Sequence, residues 1–280
     1  MPTSPEFSTV AYEISDGIAW LRFNRPEKRN CMNPTLNQEM DAALRQLEFD
    51  ERVRVLVLTG EGTAWSAGMD LKEYFRETEA EGLGAIRQAQ SEAYGWWRRL
   101  RWYQKPTIAM VNGWCFGGGY GPLFACDLAF AANEAQFGLS EINWGILPGG
   151  GASKVAVELL SFRNAMMHAL TGQNIDGPTA AEWGLVNEAV PLADLRSRVE
   201  EIALLIARKN PVALKATKDA IRRVREMTYD NAEDYLVRAQ EAANFHDEAE
   251  GRKEGIRQFI DEKSYKPGLA SYDRSKESAQ

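Results

Sequence analysis

A glycine-rich segment, residues 113–121, is the first candidate for a catalytic or ligand-binding site. It reads Gly-Trp-Cys-Phe-Gly-Gly-Gly-Tyr-Gly and follows an apolar, strand-like run, Thr107–Val111. Glycine loses much conformational entropy on folding, so three in succession are typical of a sharp turn or a close approach to a ligand. Unpaired N–H groups at the start of the helix predicted after this segment would stabilise an oxyanion or a phosphate. The alternative is a tight turn that packs a helix close to a sheet.

A second candidate segment, residues 64–70, follows another apolar run, Val53–Leu58, and reads Ala-Trp-Ser-Ala-Gly-Met-Asp. Asp70 and Glu73 resemble an acidic capping box, which places the backbone N–H of Met69 just before a predicted helix. An ordinary capped loop is the alternative. Both candidate segments follow neighbouring predicted parallel strands, and ligands bind at the carboxyl ends of such strands. We therefore expect two N–H groups to converge there on one carbonyl oxygen.

A single carboxylate, Glu141, lies among apolar residues in a third segment. The segment reads Phe-Gly-Leu-Ser-Glu-Ile-Asn-Trp-Gly-Ile-Leu-Pro over residues 137–148. Apolar surroundings favour the protonated form of a carboxyl group and raise its pKa, which suits general acid–base catalysis near neutral pH. The alternative is a solvent-facing loop glutamate, because glutamate is seldom buried.

Other catalytic chemistries find little support in the sequence. The two histidines, His168 and His246, fall in predicted helices and outside any metal-binding motif, so no metal site is expected. The glycine-rich segment matches neither the dinucleotide-binding nor the P-loop pattern, and a G-x-S-x-G nucleophile motif is absent. Cys115 beside the glycines could be a nucleophile, but a buried small apolar residue is the commoner role of a free cysteine.

The elements that position these segments alternate between strands and helices. Asp16-Gly17 between two β-prone runs predicts a hairpin, and the apolar spacing over Pro34–Leu47 predicts an amphipathic helix. Three apolar runs are expected to form buried parallel strands in a β-α-β-α-β order, which indicates an α/β fold. These runs are Val53–Leu58, Thr107–Val111 and Leu128–Ala131.

Helical periodicity dominates the chain after about residue 151. The predicted organisation is an α/β core over residues 1–200, a helical region over 201–265 and a loose polar tail over 266–280. The boundaries follow the loss of strand-like runs and the polar composition of the last residues.

Composition and charge limit the class of protein. With 280 residues, 44% hydrophobic and 26% charged, the chain is typical of a globular protein. Its net charge of −7 disfavours a nucleic-acid partner. Three cysteines, an odd and sparse number, indicate a reducing compartment rather than a disulfide framework. Because neither a secretory signal nor a membrane-spanning run is present, we expect a cytoplasmic protein with no membrane partner.

Taken together, these segments resemble the crotonase (enoyl-CoA hydratase/isomerase) superfamily over about residues 10–265. Further segments that match the superfamily lie before, between and after the three candidate segments. The segments that carry the resemblance are residues 25–30 (Arg-Pro-Glu-Lys-Arg-Asn), 66–71, 112–119, 125–129, 137–141, 181–186 (Ala-Glu-Trp-Gly-Leu-Val) and 210–211.

The resemblance implies a ββα superhelix, or spiral, with a helical C-terminal trimerisation region, and a homotrimer or homohexamer. It implies a CoA thioester substrate and no separate cofactor. By position, the oxyanion hole would be formed by the N–H groups of Met69 and Gly118, and Glu141 would be the catalytic acid/base. Simple hydratases carry a second catalytic glutamate where this chain has Gly121, so a mechanism with one carboxyl group is expected.

The resemblance also implies substrate-binding residues. Lys28 would lie near the CoA phosphates, and Ala64, Ala67 and Gly68 would border the adenine and pantetheine path. Gly121 would lie beside the acyl group. Tyr74 matches a tyrosine that binds a substrate phenol, and Tyr235 is a second candidate for that contact.

Within the family, residues 68–77, 113–119 and 140–146 closely resemble the enzymes that hydrate and cleave 4-hydroxycinnamoyl-CoA thioesters. The expected products are an aromatic aldehyde and acetyl-CoA. Two alternatives remain open at this point: a plain enoyl-CoA hydratase/isomerase, and a non-catalytic protein of the same fold that binds CoA esters.

Overall fold

A computed structural model describes residues 7–266, 268 and 270–277 of the chain. Two compact units are distinguished. The first comprises Met1–Tyr103 and Thr107–Leu204, and the second comprises Gln104–Pro106 and Leu205–Gln280. The sequence-based boundary between core and helical region lies at residue 200.

A six-stranded sheet forms the centre of the first unit, with strand order β1-β2-β3-β5-β7-β10. Only β1 and β2 pair antiparallel, and every other neighbouring pair is parallel, which confirms the predicted α/β class. The six strands are β1 (Val10–Ser15), β2 (Ile18–Phe23), β3 (Val55–Gly60), β5 (Thr107–Val111), β7 (Leu128–Ala132) and β10 (Glu188–Val190).

The predicted hairpin and the first helix are confirmed. Asp16 and Gly17 join β1 to β2 with φ values of 52° and 79°, the positive angles that a tight hairpin turn requires. Helix α1 (Pro34–Glu48) begins at Asn33, whose side chain accepts a hydrogen bond from the N–H of Leu36. Such a cap contributes about 1 kcal/mol to helix stability.

The strand predicted over Val53–Leu58 is displaced by two residues. The N–H of Val53 donates to the carbonyl of Asp50 in a turn, so the strand begins only at Val55. At its other end, β3 continues to Gly60 because that residue pairs with Phe23 of β2. Strand pairing therefore sets these limits, whereas the apolar run alone does not.

A smaller second sheet also belongs to the first unit, with strand order β4-β6-β8-β9. Its strands have only two or three residues, too few for a periodic sequence signal. They are β4 (Ala64–Ser66), β6 (Trp114–Phe116), β8 (Gln136–Gly138) and β9 (Ile175–Asp176).

Helices cover the main sheet and make up most of the second unit. Within α3, Trp96 and Leu100 are fully buried, and α1 contributes Leu36, Met40 and Leu44 to the same core. The helices after α1 are α2 (Glu77–Glu81), α3 (Leu83–Arg101), α4 (Tyr120–Ala125), α5 (Ala152–Leu159), α6 (Phe162–Thr171), α7 (Gly177–Glu182), α8 (Leu192–Ala207), α9 (Pro211–Val224), α10 (Tyr229–His246) and α11 (Gly251–Arg257). None of the helices in the described part of the chain is long and apolar enough to cross a membrane.

Part of the predicted loose tail, residues 266–280, lies outside the described residues: positions 267, 269 and 278–280. The described part contains a 3-10 turn, Arg274–Lys276. Just before it, Asp273 exchanges two hydrogen bonds of 2.8 Å with the side chain of Gln258, so this segment has defined contacts within the second unit.

Candidate active site

The small sheet brings the three candidate segments to one place. Strands β4 and β6 are parallel, with Ser66 opposite Cys115, and β6 and β8 are parallel, with Phe116 opposite Gly138. Each of these three strands lies at the beginning of one of the segments identified from the sequence. Because parallel neighbours end at the same edge, the Met69, Gly118 and Glu141 segments leave that edge side by side.

Two hydrogen bonds with Met32 hold the residues on either side of Met69. The N–H of Met32 donates to the carbonyl of Gly68 at 2.7 Å, and the N–H of Asp70 donates to the carbonyl of Met32 at 2.9 Å. The N–H of Met69 itself, between these two bonds, donates to no acceptor among the described residues. This donor is therefore available to a ligand.

Gly68 and Gly118 allow the two backbone segments to approach closely. Gly68 has a φ of +91°, and a Cβ atom added to it would lie 2.6 Å from the carbonyl oxygen of Phe116 and 3.1 Å from the nitrogen of Gly118. A Cβ atom on Gly118 would lie 3.2 Å from the nitrogen of Met69. Gly118 is the second residue of a 3-10 turn, where amides have no partner within the turn. The amides of Met69 and Gly118 therefore adjoin, as an oxyanion hole requires.

Glu141 lies beside these amides and is half-buried in the 3-10 turn Ser140–Trp144. A Cβ atom on Gly117 would lie 2.9 Å from Oε1 of Glu141, and Oε2 of Glu141 is buried with no hydrogen-bond partner among the described residues. Burial raises the pKa of Glu141 above the ordinary glutamate value. A solvent-facing loop position does not describe this side chain. Its environment instead matches that of a general acid/base.

The other glycines of the run serve packing rather than the oxyanion hole. A Cβ atom on Gly119 would lie 3.2 Å from the carbonyl oxygen of Ser66, and one on Gly121 would lie 2.6 to 2.8 Å from three ring atoms of Trp97. Trp97 is 8% exposed. Its indole therefore fills the space that a side chain at position 121 would need. At Gly119 and Gly121 the glycine run thus packs closely against its neighbours, as the tight-turn alternative expects.

An ion-pair network holds the chain that directly follows Met69. Arg25 contacts Asp70 at 3.2 Å and Glu73 at 2.9 Å, with the Arg25 and Asp70 side chains less than one-tenth exposed. Arg25 also donates to the carbonyl of Cys31 at 2.8 Å, and Asn33 donates to Glu73 at 2.6 Å. The network joins the chain before α1 to the residue that follows Met69. Sequence reasoning missed it, because Asp70 and Glu73 are 45 and 48 residues from Arg25 in the chain.

The predicted capping box is only half correct. Asp70 caps the π-helical turn Leu71–Arg76 by accepting hydrogen bonds from the N–H groups of Lys72 and Glu73, both at 2.9 Å. The reciprocal bond is absent, because Arg25 and its network hold the Glu73 carboxylate. Burial opposes the ionisation of Asp70, but these hydrogen bonds together lower its pKa below the ordinary value.

Tyr74 lies on the same π-helical turn, five positions after Met69, and is 7% exposed. Its ring packs edge-on against Phe75 with centroids 5.0 Å apart, and its hydroxyl has no hydrogen-bond partner among the described residues. Burial, with a smaller contribution from Tyr94, raises the pKa of Tyr74 to about 12. The hydroxyl therefore stays protonated and can donate a hydrogen bond.

The residues assigned to the CoA path lie in one region of the first unit, whereas Tyr235, the second candidate for the phenol contact, belongs to the second unit. Lys28 is exposed in the 3-10 turn Pro26–Lys28, and the following residue accepts a 2.9 Å hydrogen bond from the N–H of Ala67. Ala64 is buried in β4, next to this segment through a 2.7 Å bond from the side chain of Asn30 to its carbonyl. Tyr235 is half-buried in α10 of the second unit.

No group of three or more potential metal ligands occurs within residues 7–266, 268 and 270–277. Cys115 is fully buried, and this burial raises its pKa well above the ordinary thiol value. Such a thiol is a poor nucleophile. Its position beneath the glycine turn agrees with a structural role.

Comparison with known proteins agrees with this geometry. The sequence profile described as enoyl-CoA hydratase/isomerase matches residues 13–267. The chain is 53% identical over 269 residues to hydroxycinnamoyl-CoA hydratase-lyase of Pseudomonas fluorescens, covering 96% of this chain and 98% of that protein. It is 33% identical to short-chain-enoyl-CoA hydratase of Clostridium acetobutylicum, covering 92% and 97% of the two chains.

Solved structures show the same fold. The crystal structure of enoyl-CoA hydratase from Bacillus anthracis superposes with a TM-score of 0.82 at 29% identity, covering 91% of this chain and 97% of that one. An enoyl-CoA hydratase from Polaromonas sp. JS666 gives a TM-score of 0.83 at 26% identity, with coverages of 94% and 98%. The predicted crotonase fold is therefore confirmed, and the chain belongs to the enoyl-CoA hydratase/isomerase family.

Proposed function

We propose that this enzyme is a lyase that hydrates 4-hydroxycinnamoyl-CoA thioesters and cleaves the product to an aromatic aldehyde and acetyl-CoA. Feruloyl-, coumaroyl- and caffeoyl-CoA are the expected substrates, and vanillin is the aldehyde from the first of them. The 53% identity to a hydroxycinnamoyl-CoA hydratase-lyase over nearly the whole chain carries this proposal. The site supports it, since one carboxyl group stands beside two adjoining amides.

Hydration is the first step of the proposed reaction. The N–H groups of Met69 and Gly118 hold the thioester oxygen and draw electron density from the double bond. Glu141 takes a proton from water as the water oxygen bonds to the β-carbon. The negative charge collects on the thioester oxygen as an enolate, and the Glu141 carboxyl group then protonates the α-carbon. Each amide donor contributes about 10²–10³ in rate in comparable sites.

Cleavage follows at the same site. The Glu141 carboxylate removes the proton of the β-hydroxyl, the Cα–Cβ bond breaks, and the electron pair moves to the thioester as the enolate of acetyl-CoA. The aldehyde leaves, and Glu141 returns the proton to the α-carbon. Both halves of the reaction form an enolate, so one pair of amides serves both. One carboxyl group is sufficient because it alternates between base and acid.

The substrate contacts extend from this centre. We assign Lys28 to the CoA phosphates, and Ala64, Ala67 and Gly68 to the adenine and pantetheine path. Gly121, covered by Trp97, would contribute backbone to the floor of the acyl pocket.

Tyr74 is assigned to the phenol hydroxyl, because its own hydroxyl is protonated and has no partner among the described residues. Tyr235 remains the second candidate for this contact. A hydrogen-bonded para-hydroxyl would tune how readily the ring donates electrons to the β-carbon.

A homotrimer or homohexamer in the cytoplasm is the proposed assembly, and CoA takes part only as substrate and product. Exposed apolar side chains on the Glu141 turn, the segment after it and α6 support self-association, including Trp144, Leu147, Phe162 and Leu170, each more than half exposed. Exposed apolar surface of this extent marks interaction sites. No disulfide bond joins Cys31, Cys115 and Cys126, which agrees with a reducing compartment. Light scattering during gel filtration tests the assembly.

The deciding experiment is incubation with feruloyl-CoA and measurement of vanillin and acetyl-CoA. Equal amounts of both products are expected. Hydrated CoA ester without aldehyde would instead identify a plain hydratase, and binding without conversion would identify a non-catalytic relative. The Glu141→Gln variant should lose both steps together, and if it kept turnover the assigned mechanism would be wrong.

A further inference from the structure

Tyr120 and His168 form a buried hydrogen-bonded pair that the proposed mechanism does not use. The Tyr120 hydroxyl is 2.7 Å from Nε2 of His168, and Nδ1 of His168 is 3.0 Å from the carbonyl oxygen of Gln173. Both side chains are at most 1% exposed. A carbonyl oxygen only accepts, so Nδ1 carries the imidazole proton, and Nε2 accepts from the tyrosine hydroxyl. Burial lowers the pKa of His168 and favours this neutral form, and the two hydrogen bonds orient the ring.

Tyr120, at one end of this pair, holds the glycine turn that contains the Gly118 amide. Tyr120 directly follows the 3-10 turn Gly117–Gly119, and its N–H donates to the carbonyls of Gly117 and Gly118. Tyr120 thus closes the turn that contains the Gly118 amide. The side chain of Tyr120 anchors the turn to α6 through His168, so a shift of this ring would move the Gly118 amide.

The other end of the pair adjoins the Glu141 turn. His168 belongs to α6, whose last turn closes with a bond from the N–H of Gly172 to the His168 carbonyl. A Cβ atom on Gly172 would lie 2.8 Å from Oδ1 of Asn143 and 3.0 Å from a methyl carbon of Ile142. Both neighbours follow Glu141 in its 3-10 turn. The end of α6 that carries His168 therefore contacts the turn of Glu141 through Gly172, while His168 itself is bonded to Tyr120 beside the glycine turn.

We propose that His168 is a positioning residue, which fixes the Gly118 amide relative to the Glu141 carboxyl group by accepting the hydrogen bond of Tyr120 and donating to Gln173. This role rests on the proposed function, since it matters only where amide and carboxyl act on one substrate. Replacing a buried hydrogen-bonded pair by two apolar groups is often nearly neutral for stability. A hydrogen bond also defines the distance and the angle between its two partners, which apolar packing does not.

Three variants test the proposal by steady-state kinetics on feruloyl-CoA. Tyr120→Phe and His168→Leu should lower kcat about 10- to 100-fold with KM nearly unchanged, as expected for a misplacement of up to about 1 Å in the reacting groups. His168→Gln keeps an amide donor and a carbonyl acceptor, and should restore most of kcat. Tyr103→Phe is the matched control. It removes another fully buried tyrosine hydroxyl, which donates to the carbonyl of Leu44 at 3.0 Å.

Binding of acetoacetyl-CoA provides a second readout that needs no turnover. Its bound enolate absorbs in the near ultraviolet, and the enolate fraction reports how well the amides are aligned. Tyr120→Phe and His168→Leu should reduce this fraction, whereas Tyr103→Phe should lower only the thermal midpoint. If both site variants fold and keep the parental kcat and enolate fraction, the pair is only structural and the proposal is overturned. If the parent releases no aldehyde but the variants still reduce the enolate fraction, the proposed function fails and the positioning role stands.

Discussion

Substituting Gly118 by alanine is the most direct test of the paired amides. The added Cβ atom would lie 2.8 Å and 2.9 Å from Cγ and Sδ of Met69, and 3.2 Å from its backbone nitrogen. The thioether side chain can rotate away at little cost. The backbone nitrogen cannot, and it must move by a few tenths of an ångström. Gly118 is not among the glycines with positive φ, so the change introduces no backbone strain of its own.

The size of the effect follows from which group moves. Loss of one oxyanion donor costs about 10²–10³ in rate, and a donor displaced by a fraction of an ångström loses part of that. We expect kcat for feruloyl-CoA to fall by about 10²-fold, because both amides are affected by one contact. KM should change less than kcat, since the contact falls on the amide of Met69 rather than on the residues assigned to the CoA phosphates. Overpacking should reduce the free energy of unfolding by about 1–3 kcal/mol.

Gly95→Ala is the matched control for this prediction. Gly95 lies in α3, and a Cβ atom there meets nothing within 4 Å. The same chemical change should increase the free energy of unfolding by about 0.5–1 kcal/mol and leave kcat unchanged. Urea unfolding and an assay of aldehyde release measure both quantities. If Gly118→Ala kept the parental kcat while its stability fell, the amide of Gly118 would not hold the thioester oxygen.

Three further predictions concern other groups of the site. Because burial raises the pKa of Glu141, the folded protein binds the proton of this carboxyl group more tightly than the unfolded chain does. The protonated carboxyl group therefore contributes to stability below about pH 4, and this contribution is lost as pH rises through the folded pKa. Urea unfolding should therefore find Glu141→Gln more stable than the parent at pH 7, and equal stability there would contradict the burial argument. Arg25→Met leaves the Asp70 carboxylate buried without its cation, and should lower the free energy of unfolding by about 3–5 kcal/mol, whereas an unchanged urea midpoint would disprove the network's role. Tyr74→Phe should reduce kcat/KM for 4-hydroxycinnamoyl-CoA but not for unsubstituted cinnamoyl-CoA, and an equal loss with both would place the phenol elsewhere.

Local sequence patterns were sufficient for the main elements of the fold. The Asp16-Gly17 turn, the apolar spacing over α1 and the buried runs of β5 and β7 each depend on residues close in the chain. Strand limits were less certain, because pairing decides them. β3 illustrates this, since its register with β2 moves both of its ends by two residues.

The sequence alone could not predict the second sheet or the partners of the side chains at the site. Strands of two or three residues carry no periodic signal, although they align the Met69, Gly118 and Glu141 segments. Asp70 and Glu73 show the same limit. A local rule pairs them with each other, but a distant arginine competes for Glu73 and wins, because burying that arginine without an opposite charge would be costly.

The sequence by itself determined which groups are the candidates for the reaction: a glycine turn, a second loop ending at Met69, and one glutamate in apolar surroundings. Only the tertiary structure decided that the two amides adjoin, that Glu141 is half-buried beside them, and that an indole occupies the space next to Gly121. The physical reason is the range of the interactions. Backbone conformation and amphipathicity are set by neighbours in the chain, whereas burial, pKa and steric exclusion depend on atoms that folding brings together from distant positions.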